Sequence, residues 1–266
     1  MLRFTNCQAP NAEAHFGAIA AYLARKLGIE HEHVQVPDWR AREAALFRGE
    51  VQVGWVCGLP YVLEADRPGS SIELLAAPVM ADSRYEGKPV YFSDVVVRAQ
   101  EPVGDFLDLR DKRWAFNEPH SHSGYNITRY MLASKGLDGS FFAQRVEAGS
   151  HERALRLLLR GRIDATALDS TVLETELKND PRLGEQVRII EAWGPSPIPP
   201  WVVHRSLSVE LQSRLRGALV NMHADPEGAA LLASGRMKQF VAVADRDYDA
   251  IRGMYNKGKT IQFLEI

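Results

Sequence analysis

The 266-residue chain is short of several things, and each shortage closes off a class of protein. Its two cysteines, Cys7 and Cys57, are too few for a disulfide framework or a zinc site of the usual spacing. No apolar run approaches the ~18 residues that a membrane span needs, so the sequence reads as a soluble chain without direct membrane insertion. The start, Met1-Leu2-Arg3-Phe4, lacks the basic and apolar regions of a secretory leader, which leaves a cytoplasmic chain or one whose leader has been removed. There is no charge bias either: 32 Lys and Arg against 34 Asp and Glu give a net charge of −2. Nothing in that balance would draw nucleic acid or an acidic membrane, so any bound anion must be caught by local donors. Internal repeats and low-complexity segments are also missing.

What is present is a repeated switch between strand and helix periods. Leu2 to Asn6 reads as a strand. Asn11 is the expected N-cap of a helix with Phe16, Ile19, Leu23 and Leu27 on its apolar face, stopped by Gly28. Further strands are expected near Val51–Val56, Ile72–Ala76, Val90–Arg98, Arg113–Phe116, Arg145–Ala148, Asp164–Leu168, Val187–Ala192 and Trp201–His204. Helices are expected near Trp39–Arg48, from Tyr61, and near Gly124–Ser134, His151–Arg160 and Ser170–Leu177. Three more close the chain near Ser208–Ala224, Pro226–Ala233 and Asp247–Asn256. Strands alternating with helices of this length mean α/β architecture with mostly parallel sheets and helices on both faces. Two segments read as crossings between lobes, near 91–100 and 194–202, the second being the stiff Gly194-Pro195-Ser196-Pro197-Ile198-Pro199-Pro200. The expected division is therefore 1–92 with 200–266 as one discontinuous lobe and 93–199 as the other, with a ligand cleft between them.

One stretch carries most of the chemistry: "NEPHSHSGYN", Asn117 to Asn126. It falls between a strand and a helix, where the first helical turn offers unpaired N–H groups and a positive dipole end. The hydroxyls of Ser121 and Ser123 and the glycine at Gly124 would complete an anion cradle of neutral donors. His122, between the serines, could add a donor or, when protonated, a charge. The competing readings are simple N-capping by one serine, a zinc site at His120 and His122, and a serine nucleophile. Zinc would need a third ligand at a spacing not seen here, and Ser121 occupies the first glycine position of a nucleophile elbow at Ser123.

The chain resembles the phosphonate- and phosphite-binding proteins of ABC transporters, which have the type II periplasmic-binding-protein fold. The resemblance rests on "YLARKLGIE" (Tyr22–Glu30), "GEVQVGWVCGLPYV" (Gly49–Val62) and "YFSDVVVR" (Tyr91–Arg98). It continues through Ser121-His122-Ser123-Gly124, where the family usually has Ser-Thr-Ser-Gly, "GSHERALRLLLRGRIDATALDS" (Gly149–Ser170) and "PSPIPPWVV". It implies that Ser121, Ser123 and the following backbone hold the oxyanion, that Tyr91 donates a hydroxyl, and that His151 reaches the same group. Asp169 would accept from a protonated oxygen or a substituent of the ligand. The other readings are an ordinary strand tyrosine for Tyr91, and helix caps for His151 and Asp169. Gln8 and Cys57 are further candidate ligand residues. Cys7 and Cys57 would end neighbouring strands and line the cleft rather than bond to each other.

Departures from the family pattern also carry expectations. His122 stands where a small residue is usual, narrowing the cradle or adding a pH-dependent charge. Pro199-Pro200-Trp201 replaces an acid that would meet a ligand amine. Trp55 and Trp201 suggest an apolar or flat substituent. The function implied is a monomeric, periplasmic solute-binding protein with an ABC permease as partner and no metal or other cofactor. The other readings on this fold are a leaderless cytoplasmic enzyme, with His122, His151 and Cys57 supplying its chemistry, and a ligand sensor.

Overall fold

The computed structural model describes residues 1–36 and 38–263. The chain opens with β1 (Leu2–Asn6), α1 (Glu13–Leu27), β2 (His31–His33), α2 (Trp39–Phe47), β3 (Val53–Trp55), α3 (Gly58–Ala65) and β4 (Ile72–Met80). It continues through β5 (Val90–Arg98), β6 (Arg113–Phe116), α4 (Ile127–Ser134), β7 (Gln144–Glu147), α5 (His151–Leu159) and β8 (Ala165–Asp169). After α6 (Ser170–Asn179), α7 (Leu183–Gln186) and β9 (Val187–Pro197) come β10 (Trp201–His204), α8 (Val209–Val220), α9 (Pro226–Ser234), β11 (Met237–Val241) and α10 (Asp249–Gly258).

These elements form two compact units. The first holds Met1–Gln8, Ala12–Val90 and Pro197–Asp249; the second holds Ala9–Asn11, Tyr91–Ser196 and the described chain from Ala250. The first unit has a six-stranded sheet of order β11-β4-β10-β3-β1-β2. Phe16 of α1 stacks on Trp201, which in turn stacks on Trp55 and meets Phe240 edge-on. Trp201 is wholly buried and the Trp55 indole N–H donates to Pro199 O, so both tryptophans are core rather than ligand-facing.

The second unit has a five-stranded sheet of order β7-β6-β8-β5-β9. One face carries an aromatic cluster of Phe106, Trp114, Phe116, Phe141, Phe142 and Trp193, with Val95 and Val97 from β5. The other face packs Val96 against Leu155, Leu158 and Leu173 of α5 and α6. The alternation of Val95, Val96 and Val97 between the two faces is the period-two pattern of a strand buried on both sides.

Both sheets are mixed. The pairs β1–β2, β1–β3, β6–β7 and β6–β8 are parallel, whereas β10–β3, β10–β4, β11–β4 and β5–β8 are antiparallel. The parallel share is smaller than the sequence suggests, because β5 and β10 follow the two chain crossings and enter their sheets reversed. The short strands β2 and β11 have no clear alternating signature and are not among the expected elements.

Two local expectations are corrected. Asn11 does not cap α1: its backbone N–H donates to Glu152 and its amide to Glu176, both in the second unit, and Ala12 stands at the cap. The chain from Ala250, expected with the first lobe, groups with the second unit. Phe263 packs on Phe116 and Tyr125, Arg129 Nε donates to Ile261 O, and Gly258 lies against the backbone at Tyr130.

The second sheet is tied at its far end by Asp164. This carboxylate accepts from the Arg113 backbone N–H, from Arg113 Nε and from Arg113 Nη2 at 2.9, 3.0 and 2.7 Å. Those bonds hold its pKa down to about 2. A depressed carboxylate stabilises the fold above its unfolded pKa, and that contribution is lost as pH falls toward the folded value. Asp164→Asn should therefore cost roughly 1–2 kcal/mol at pH 7, after allowance for partial solvent screening, and flatten the acid limb between about pH 4 and 2. Urea titrations at stepped pH read this; an unchanged acid limb would contradict it.

Candidate functional site

Three strand ends share one edge of the second sheet. Strands β6 and β8 run parallel, with Trp114 opposite Ala165 and Ala115 opposite Thr166, so both finish at the same edge, β8 running two residues further to Asp169. Strand β5 runs the other way, with Ser93 opposite Asp169, so its beginning lies at that same edge. In open α/β sheets this carboxyl edge is where ligands bind.

The stretch after β6 builds a tight bracket there. Residues His122–Asn126 form a π-turn leading into α4, with the Asn126 and Ile127 N–H groups donating to carbonyls five residues back, those of Ser121 and His122. Ser121 is the N-cap: its Oγ accepts from the Gly124 N–H at 3.1 Å and lies 3.5 Å from Ser123 Oγ. Ser123 Oγ in turn is 3.0 Å from His151 Nε2. His151 is the first residue of α5, and Ser150 supplies that helix's cap by accepting from the Arg153 N–H. The capping role is thus filled by a neighbour, which frees His151 to face Ser123.

Gly124 also allows a close approach within the protein itself. A side chain there would run into Asn117 Oδ1 and crowd the Asn117 backbone nitrogen. The glycine therefore lets the Asn117 side chain lie against the turn.

His122 departs furthest from expectation. It is wholly buried, its Nδ1 accepting from the Asn126 amide and its Nε2 donating to Ser196 Oγ, each at 3.0 Å. Burial lowers its pKa to about 3, so it is a neutral brace between the loop and the end of β9, not a pH-dependent charge. His151 is driven down to about 3 for the same reason.

Tyr91 and Ser93 lie two residues apart on β5 and so share a face. Tyr91 is buried with its ring 6.3 Å from that of His122. Asp169, across from Ser93, caps α6 by accepting from Thr171 N–H and Oγ1 at 2.8 and 2.7 Å. Burial raises its pKa to about 6 against the lowering effect of those bonds. Beside Asp169, Ser170 Oγ accepts from the Phe92 N–H at 3.1 Å and ties α6 to β5. Ser93 Oγ, Asn117 Oδ1 and His151 Nδ1 are buried polar atoms without a hydrogen-bond partner among the described residues. No lysine or arginine is buried among those residues.

The second unit thus gathers Tyr91, Ser121, His122, Ser123, Gly124, His151 and Asp169. Gln8 and Cys57 belong to the first unit. There Gln8 donates its amide to Trp55 O, Cys7 N–H donates to the same carbonyl, and Cys57 precedes α3 without capping it by its side chain. No disulfide joins Cys7 and Cys57. Among the described residues, no group of three or more His, Cys, Asp or Glu is arranged to hold a metal. Ser93, Asn117, Asn126 and Ser196 are additional members of the cluster. Ser93 could have been found by stepping two residues along the strand from Tyr91; Ser196 lies 74 residues from His122 and has no local signal.

A model of the family described as "ABC transporter, phosphonate, periplasmic substrate-binding protein" matches residues 4–248. The chain belongs to that family. Its relatives include the phosphonates-binding periplasmic protein of Escherichia coli K12, 24% identical over 86% of this chain and 68% of the relative. Another is a "probable ABC transporter phosphite binding protein", PhnD1, of Prochlorococcus marinus MIT 9301, 23% identical over 64% of this chain. The match spans 57% of that relative's length. The solved structure of PhnD1 with methylphosphonate superposes with a TM-score of 0.84 at 20% identity, covering 98% of both chains. The fold is that of type II periplasmic binding proteins, as expected. These relatives are substrate-binding proteins and not enzymes, which sets aside the enzyme reading. Family members are periplasmic, and no described helix is long and apolar enough to cross a membrane.

Buried neutral histidines make the site acid-sensitive. A histidine held near 3 in the fold but near its ordinary value when unfolded takes up a proton on unfolding below about pH 6.5. Its stabilising effect is complete above that pH and is lost as pH falls. His122→Asn and His151→Asn should each reduce the slope of unfolding free energy between pH 6 and 4 by about 1.4 kcal/mol per pH unit. Denaturant titrations across that range test this; unchanged slopes would mean the imidazoles are not buried and neutral.

Proposed function

We propose that this protein captures a small phosphorus oxyanion of the phosphonate or phosphite class at the loop Asn117–Gly124 and delivers it to an ABC permease in the periplasm. The observation that carries this reading is the way the two serine hydroxyls are held. Ser121 already accepts from Gly124 N–H, so its own proton is available to a ligand oxygen. When His151 carries its proton on Nε2, it donates to Ser123 and leaves the Ser123 proton available in the same way. Two oriented hydroxyls at a helix start suit an anion whose oxygens accept several hydrogen bonds. The Tyr91 hydroxyl is assigned as a further donor. His122, Asn126 and Ser196 hold the loop rather than touch the ligand. Affinity comes from short-range hydrogen bonds in a buried setting, so it should depend little on salt. The receptor works as a monomer.

A thermal-shift panel of methylphosphonate, phosphite, phosphate and sulfate tests the assignment. A ligand at 100 times its dissociation constant adds about 2.7 kcal/mol, which raises the melting point by roughly 5–10 °C in a chain of this size. A phosphorus oxyanion should produce that shift. Ser121→Ala and Ser123→Ala should each weaken binding about tenfold, and the double variant should abolish the shift. A panel without any shift, or a double variant that responds like the wild type, would refute the reading.

A further inference from the structure

The bond between His151 and Ser123 needs the start of α5 in a fixed place, yet this nine-residue helix is held largely by apolar contacts. Ala154, Leu155 and Leu158 pack with Leu168 and Leu173. Such packing is non-directional: it sets how near a helix lies to its sheet, whereas directional hydrogen bonds fix its first turn. At 3.0 Å, the bond to Ser123 is lost on a shift of about 1 Å.

The polar hold on that turn comes from Asn11. The segment Ala9–Asn11 belongs to the second unit. The Asn11 backbone N–H donates to Glu152 Oε1 at 3.0 Å. Its side-chain amide donates to Glu176 Oε1 at 2.9 Å and, more weakly, to Val172 O at 3.4 Å. Both partners of the amide are acceptors only, which fixes which way the carboxamide points. Glu152 follows His151 in the first turn of α5, and Val172 and Glu176 lie on α6. Helix α6 is itself tied to β5, through Ser170 and the Phe92 N–H. Asn11 therefore passes the position of an anchored helix to the helix that carries His151.

Glu152 makes that link exacting. It is buried, and its Oε2 has no hydrogen-bond partner among the described residues. If the segment shifts, the carboxylate loses the Asn11 N–H as well. A buried carboxylate without donors is costly, so it would turn toward water and take the first turn of α5 with it.

We propose that Asn11 is a positioning residue for anion capture: by clipping α5 to α6 it holds His151 against Ser123 and keeps the Ser123 proton turned toward the ligand. It reaches the ligand only through that pair. The Ser121 hydroxyl, held by the Gly124 N–H, lies outside this chain of bonds. The proposal rests on the oxyanion reading above and adds to it what orients one of the two serines.

A double-variant cycle read by calorimetric titration with methylphosphonate and phosphite makes the test. Asn11→Ala frees α5 from α6 and should weaken binding about fivefold to tenfold. In a Ser123→Ala background the same change should cost less than about twofold, because the pair it serves is already gone. In a Ser121→Ala background the full cost should remain. A general loss of structure would instead add equally to both serine variants, and that result would overturn the proposal. Asn11→Asp sets a carboxylate against Glu176 and should bind more weakly than Asn11→Ala. Adding Glu176→Gln exchanges donor and acceptor and should recover most of the loss; no recovery would count against the clip.

A ligand-free readout separates this from the oxyanion reading. With 15N-labelled histidine, Asn11→Ala should move the ring-nitrogen signals of His151. Those of His122, braced by Asn126 and Ser196, should stay in place. Unmoved His151 signals would overturn the positioning role. If the wild type binds neither oxyanion, the capture reading falls, while the His151 signals still decide whether Asn11 places the imidazole.

Discussion

Ser121 Oγ receives the Gly124 N–H, and Ser123 Oγ faces His151 Nε2; on these two hydrogen bonds the rest of the site depends. A serine hydroxyl has one proton and rotates freely unless something occupies its lone pairs. Filling one lone pair from the scaffold restricts that rotation and turns the remaining proton outward. A protein that places no lysine or arginine in its described interior can then still present directed positive hydrogens to an anion. The cost is that each donor must be positioned from elsewhere. The π-turn at His122–Asn126 brings Ser121 and Gly124 into register, and the first turn of α5 delivers His151 to Ser123.

The brace behind the loop follows the same logic with the charge removed. A threonine at position 122 could reach neither Asn126 nor Ser196 with two separate atoms. The imidazole does both, receiving from one and donating to the other, and so fixes its own tautomer. Full burial then makes protonation unfavourable, so the brace keeps its hydrogen-bond polarity through the physiological range. Stability against acid is what the molecule gives up for this, because both histidines take up protons readily once the chain unfolds.

Much of this was legible in the sequence, and the reasons are physical. Helix periods with glycine stops gave α1 and α2, and Gly28 takes the left-handed conformation its position suggests. The serine loop was visible because strand-to-helix turns with small polar residues have few other uses. What escaped depends on partners distant in sequence. Asn11 looks like a cap by local rules, yet its partners Glu152 and Glu176 lie more than a hundred residues on. Local pattern cannot show that the segment from Ala250 belongs with the second unit and covers Phe116 and Tyr125 in its core. The misreading of His122 has the same origin: its role is set by Ser196, buried in a proline-rich segment that reads only as a crossing.

Asp169 shows why capping and ligand contact need not be rival readings of one residue. Its bonds to Thr171 favour the ionised carboxylate, as any helix N-cap does, while burial favours the neutral acid. Were the cap alone in control, the group would be a weak base and a poor acceptor. Were burial alone in control, it would be protonated at neutral pH and would act as a donor to any anion, with or without a hydrogen. The balance between them, near 6, leaves a carboxylate that is charged at neutral pH but close to accepting a proton. The helix cap is part of what sets that balance.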